Sequence, residues 1–97
     1  MGNYFIYITT NPAKDVLYIG VTNDLYTRMT QHYENRGDSK TFAGRYYCYN
    51  LIYFERHDSA TAAIDREKEL KKWSRAKKLK LIHSENPSLK FYDIKAL

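Results

Sequence analysis

With one cysteine, Cys48, among 97 residues, the chain can form no internal disulfide and offers no cysteine cluster for zinc. That scarcity fits a reducing, cytoplasmic location. Long hydrophobic runs are missing too, because the longest apolar-aromatic stretch, Tyr46 to Phe54, is far too short to span a bilayer. The beginning of the sequence lacks the basic and apolar regions of a signal peptide. Ile6 stands where a myristoylation motif built on Gly2 needs Ser or Thr, so no membrane partner is expected. There is no G-x-S-x-G, no H-E-x-x-H, no P-loop and no G-x-G-x-x-G, which removes the common hydrolase, zinc-protease and nucleotide-binding signatures. Neither an internal repeat nor a linker divides the chain. One domain spanning residues 1–97 is expected, with its 43% hydrophobic content sufficient for a single core.

What is abundant is aromatic and basic. Ten tyrosines and four phenylalanines are more rings than one small core needs, so several reach the surface or line a cleft. The formal charge is +5, which permits a polyanionic partner without demanding one. Between Arg66 and Lys80 eight basic residues face two acidic ones, a local +6 that leaves −1 for the rest of the chain. Lys71, Lys72, Arg75, Lys77 and Lys78 form a patch suited to phosphate contacts, with Trp73 in its middle. Trp73 can stack on a base if exposed, but its size favours the core.

Tyr4 to Thr9 and Val16 to Val21 read as two strands of a hairpin, with a loop around the Asn11-Pro12 turn signal. Alternation puts Phe5 and Tyr7 on one face of the first strand and Ile6 and Ile8 on the other. In the second strand Tyr18 and Gly20 oppose Leu17, Ile19 and Val21. Asn23 or Asp24 can cap a helix from Leu25 to Tyr33. Glu34 to Gly44, polar and with two glycines, reads as a mobile loop. Tyr47 to Glu55 supplies a third strand, Ser59 caps a helix from Ala60 to Trp73, and Ser74 starts another reaching about His83. Asn86-Pro87 ends that helix, and Leu89 to Ile94 can add a short packed segment. The order β-β-α-β-α-α predicts an α+β fold, a three-stranded, mostly antiparallel sheet packed with helices.

Polar residues interrupt two of the apolar stripes. Leu25 and Met29 share one helical face, with Arg28 and His32 projecting beside it. That is compatible with an arginine lying over apolar surface and a surface histidine, or with a site. Glu67 has Ala63 and Ile64 one turn before it and Leu70 one turn after, where an ionised carboxylate is costly without a cation. The cation can be a metal, or a side chain such as Arg28, Arg66 or Lys71, the last at the favourable i,i+4 spacing.

Phe5-Ile6-Tyr7, ten residues, then Tyr18-Ile19-Gly20 resembles the paired motif of the GIY-YIG nucleases, with Phe5 where the name-giving glycine would stand. Leu17 to Leu25, with Arg28 and His32 beyond, is similar to the strand-to-helix segment of that family. Glu67 within Arg66 to Trp73 resembles its metal-binding glutamate, and Asn86 its closing asparagine. The likeness covers about residues 4 to 87 and is greatest to small stand-alone bacterial members; larger relatives include excision-repair incision subunits. The resemblance implies hydrolysis of phosphodiesters, in DNA above all, by a monomer using one Mg²⁺ or Mn²⁺. Glu67 would hold the ion, while Tyr7 and Tyr18 position and deprotonate the attacking water. Arg28 would stabilise the pentacovalent phosphate, His32 would relay a proton, and Asn86 would anchor local backbone or substrate. A nucleic-acid-binding module without cleavage is the alternative, and a protein-interaction adaptor a third class. So small a chain leaves substrate recognition to its own surface or to a partner protein.

Overall fold

Alternating aliphatic and aromatic residues make both faces of the central strand apolar, so both must be covered. The computed structural model describes residues 2–97 and shows how. Strands β1 (Tyr4–Thr10), β2 (Leu17–Thr22) and β3 (Asn50–His57) form an antiparallel sheet in the order β2-β1-β3. Helices α1 (Leu25–Glu34), α2 (Phe42–Arg45), α3 (Ala60–Lys71) and α4 (Arg75–Glu85) and a 3₁₀ turn at Ile94–Ala96 complete an α+β fold.

One sheet face carries Ile6, Ile8, Ile19 and Ile52 against Ala63 and Leu70 of α3 and Ile82 of α4. The other carries Tyr7 and Leu51 against Leu25 and Met29 of α1, with Phe5, Phe54, Tyr92 and Ile94 packed around them. Each fully buried aliphatic side chain contributes about 1.5–3 kcal/mol relative to exposure. A bulge opposite Ile8 and Thr9 inserts Ile52 as an extra residue, so Ile52 and Tyr53 both reach the first face. Leu51 keeps the opposite one. Phe5 sits edge-on to Phe54, ring centroids 6.1 Å apart, and fills the second face.

Side-chain caps fix where the helices start. Asp24 accepts from Thr27 N at 3.0 Å, Ser59 from Ala62 N at 3.1 Å and Ser74 from Lys77 N at 3.1 Å. Three boundaries differ from the sequence expectation. The third strand starts at Asn50 rather than Tyr47, because Tyr47 has φ +58° and Cys48 N donates back to Ala43 O at 2.9 Å. α3 stops at Lys71, leaving Trp73 outside the helix. The expected loop from Glu34 to Gly44 is shorter: α1 takes Glu34, and Phe42 to Gly44 belong to α2, capped by Thr41. Between these helices Gly37 N bonds Gly44 O at 2.8 Å, and a β-carbon on Gly44 would lie 2.5 Å from Asp38 O. The segment is therefore folded back tightly on itself.

Candidate active site

Tyr7 is paired with Gly20 across β1 and β2. The missing side chain of Gly20 lets the Tyr7 ring cross the edge strand, for any β-carbon there would overlap the ring. The Tyr7 hydroxyl meets His32 Nε2 at 2.7 Å. His32 comes from the last turn of α1, beside Arg28, because Leu25 and Met29 turn inward. Tyr18 completes the group, its ring centroid 5.4 Å from His32 and 6.2 Å from Tyr7.

The electrostatics fix the protonation states of the two groups in that hydrogen bond. Burial, then the neighbouring Tyr18, holds the Tyr7 phenol well above its usual range, and the charge of Glu67 adds to this. Burial, then the Arg28 cation, lowers His32 to about 4. At neutral pH the phenol is protonated and the imidazole uncharged, so the His32 tautomer sets the direction: with the proton on Nδ1, Tyr7 donates and Nε2 accepts. Among the described residues no carboxylate pairs with Arg28. Its half-buried guanidinium lines a cleft of about 160 Å³ with Tyr18, His32, Phe42 and Gly44. An unpaired cation beside two neutral rings is a seat for an anion such as phosphate.

Glu67 lies on α3, which packs on β1 and β2, near enough for its charge to act on the Tyr7 phenol. Its surroundings are less apolar than the sequence implied: Ala63 and Leu70 are buried, but Ile64 is 40% exposed. The carboxylate itself is 20% exposed and meets Lys71 Nζ at 3.4 Å. Of the side-chain partners considered for it, Lys71 is therefore the one observed. Arg66 instead bonds Glu55 at 2.9 and 3.0 Å and Glu69 at 2.6 Å. No group of three or more His, Cys, Asp or Glu occurs among the described residues. A lone, partly solvated carboxylate fits a hard cation that keeps most of its waters, as Mg²⁺ does, and does not fit zinc. Lys71 is 54% exposed, and a surface i,i+4 ion pair is worth only about 0.3–0.5 kcal/mol, so a metal ion can displace the lysine.

Asn86 is not brought to this group. Buried, it donates to Ile52 O and Lys90 O, both at 2.9 Å, and accepts from Lys90 N at 3.0 Å. Both amide hydrogens are thus engaged in tying the C-terminal segment to β3. Of the basic patch, Lys71 and Lys78 line a second cleft of about 280 Å³ with Tyr18 and Phe42. Lys72 and Arg75 are exposed. Lys77 lies over Trp73 at 4.1 Å, and Arg66 approaches the same ring at 5.2 Å. Trp73 is half-buried against the core margin under these cations, neither wholly core nor free to stack. The wall formed by Phe42 and Gly44 is not evident in the sequence, where its only signal is an aromatic residue after Thr41, a cap residue. A larger cleft of about 530 Å³ lies elsewhere, lined by Phe5, Leu25, Ile94 and others, and contains none of the converging groups. No helix among the described residues is long and apolar enough to cross a membrane.

Residues 3–80 match the family model described as the GIY-YIG catalytic domain. A UPF0213 protein of Natronomonas pharaonis is 36% identical over 83 residues, covering 86% of this chain and 94% of its own. A UPF0213 protein of Staphylococcus aureus strain Mu3 is 33% identical over 82 residues, covering 84% and 96%. No solved structure matches.

Proposed function

Because the chain belongs to the GIY-YIG nuclease family, we propose that it is a metal-dependent endonuclease that hydrolyses phosphodiester bonds in DNA, in repair or processing. The observation that carries this reading is the Tyr7–His32 hydrogen bond, at 2.7 Å, beside an unpaired Arg28. The attacking water gives its proton to the Tyr7 hydroxyl as Tyr7 passes its own to His32 Nε2. A phenol held this far above its usual range is a poor base alone, so the imidazole acts as the acceptor at the end of the relay. Burial and the Arg28 cation make His32 a weak base in the free protein, and a phosphate bound to Arg28 would offset that cation and raise the imidazole's affinity for the proton. Tyr18 confines the water on the side of the second cleft. The Arg28 fork binds non-bridging phosphate oxygens as negative charge grows on them. Glu67 would hold Mg²⁺ or Mn²⁺, which supplies charge neutralisation at the phosphate.

The test is incubation of single-stranded, duplex and branched DNA with and without Mg²⁺ or Mn²⁺. Cleavage should require metal and fall roughly 10²–10³-fold in Arg28→Ala, which removes a transition-state donor. Glu67→Gln should keep the fold and DNA binding, yet lose both cleavage and the Mn²⁺-induced broadening of Tyr18 and Arg28 NMR signals. The Glu67–Lys71 contact at 3.4 Å favours a second reading, a DNA-binding module whose glutamate is a structural ion-pair partner. No cleavage by wild type and no response to Mn²⁺, with DNA binding retained in both wild type and Glu67→Gln, would establish that one instead.

A further inference from the structure

Four rings run outward from the candidate active site. His32 to Tyr18 is 5.4 Å between centroids, Tyr18 to Phe42 is 6.3 Å, and Phe42 to Tyr46 is 4.8 Å. The inner end is polar and hydrogen-bonded to Tyr7. At the outer end Phe42 is 52% exposed and Tyr46 43% exposed, although α2 itself is pinned from beneath by buried Ala43 and Gly44. The interplanar angle between Phe42 and Tyr18 is only 25°, so one ring backs the other and fixes its plane. Basic groups flank the ladder on both sides, Arg28 in one cleft and Lys71 and Lys78 in the other. A rigid, exposed aromatic face between phosphate-seeking cations is the arrangement that binds a stacked base along a single strand.

We propose that Phe42, backed by Tyr18 and flanked by Tyr46, is the stacking platform for an unpaired nucleobase next to the scissile phosphate, selecting single-stranded segments of DNA over continuous duplex. The scissile position rests on the nuclease reading; the platform itself does not. In a duplex both faces of every base are covered by its neighbours, so the ring can be used only after unstacking, whereas an unpaired base offers its face freely.

Binding of a fluorescent oligothymidylate and of a duplex of equal length, measured by anisotropy with chelator present, separates the two readings because no cleavage is needed. Wild type should prefer the single strand. Phe42→Leu keeps apolar cover on Tyr18 but removes the planar face, and should weaken single-strand binding roughly 5- to 150-fold while leaving duplex binding unchanged. Phe42→Trp should retain the preference. The proposal is overturned if Phe42→Leu binds the oligothymidylate as wild type does, if it loses affinity for both DNAs equally, or if wild type binds neither. Absence of metal-dependent cleavage with the Phe42 selectivity intact would count against the nuclease reading alone and support the platform.

Discussion

Gly20→Ala is the substitution most directly dictated by the geometry. A β-carbon at this position would stand 2.5 Å from Tyr7 Cζ and 2.9 Å from Cε2, and nearer still to the hydroxyl. The backbone gives no reason for glycine here, since Gly37 is the one described glycine with positive φ. In an unobstructed strand, Gly→Ala would stabilise by about 0.4–1 kcal/mol through the unfolded state. Forcing a methyl into the buried Tyr7 ring should instead cost about 1–3 kcal/mol, so the sign of the change decides the matter. For a domain of this size that is a drop in melting temperature of about 5–20 °C. Displacing the ring also separates its hydroxyl from His32, so cleavage should fall with it. The clean assay is a double-mutant cycle by urea denaturation, with Tyr7→Leu as the second change. With the ring gone, Gly20→Ala should cost almost nothing, giving a coupling of about 1–3 kcal/mol. A stabilised single variant, or an equal cost in both backgrounds, would refute the view that Gly20 exists to let Tyr7 cross the sheet edge.

His32 should remain uncharged down to about pH 4 in an NMR titration, and a midpoint near its ordinary 6.5 would contradict the buried, Arg28-facing placement. Below pH 6.5 the unfolded chain takes up a proton that the folded one refuses until about 4, so His32 lowers stability as pH falls between them. Replacing it with Asn should flatten that part of the stability–pH curve. Neutralising Lys71, Lys72, Lys77 and Lys78 together should weaken DNA binding and reduce the log–log salt slope by roughly 0.9 for each duplex phosphate no longer neutralised. An unchanged slope would put the binding surface elsewhere. Asn86→Ala removes two donated bonds and one accepted bond and leaves the Ile52 carbonyl unpaired, a loss of about 2–4 kcal/mol by denaturation. A change under about 1 kcal/mol would mean that the C-terminal segment is not held by this amide.

Local chemistry makes most of the fold legible. Period-two alternation assigns Ile6, Ile8 and Ile19 to one face and Tyr7 and Tyr18 to the other, because a strand allows its side chains no other choice. Asp24, Ser59 and Ser74 announce their helices, since each satisfies a backbone N–H within three residues. Asn86 shows the limit of a motif. Its position stands out in the sequence, but only packing binds both its N–H groups to the Ile52 and Lys90 carbonyls. Four-residue α2 has no periodicity to read, and Gly44 looks like a breaker until the Asp38 carbonyl beside it requires a residue without a side chain.

The sequence by itself determined which residues face each side of the sheet, where the helices begin and where positive charge gathers, because these depend on neighbours within one turn or one strand. Only the tertiary structure decided that Tyr7, Tyr18, Arg28 and His32 converge. Their approach depends on the Tyr7 ring passing over Gly20 and on α1 folding back across β1. Likewise, the nearness of Glu67 to Tyr7, the pairing of Arg66 with Glu55 and the exposed face of Phe42 follow from how separate elements pack. Spacing along a chain fixes direction within one element, whereas distance between elements is set by the volumes and charges that must fit together.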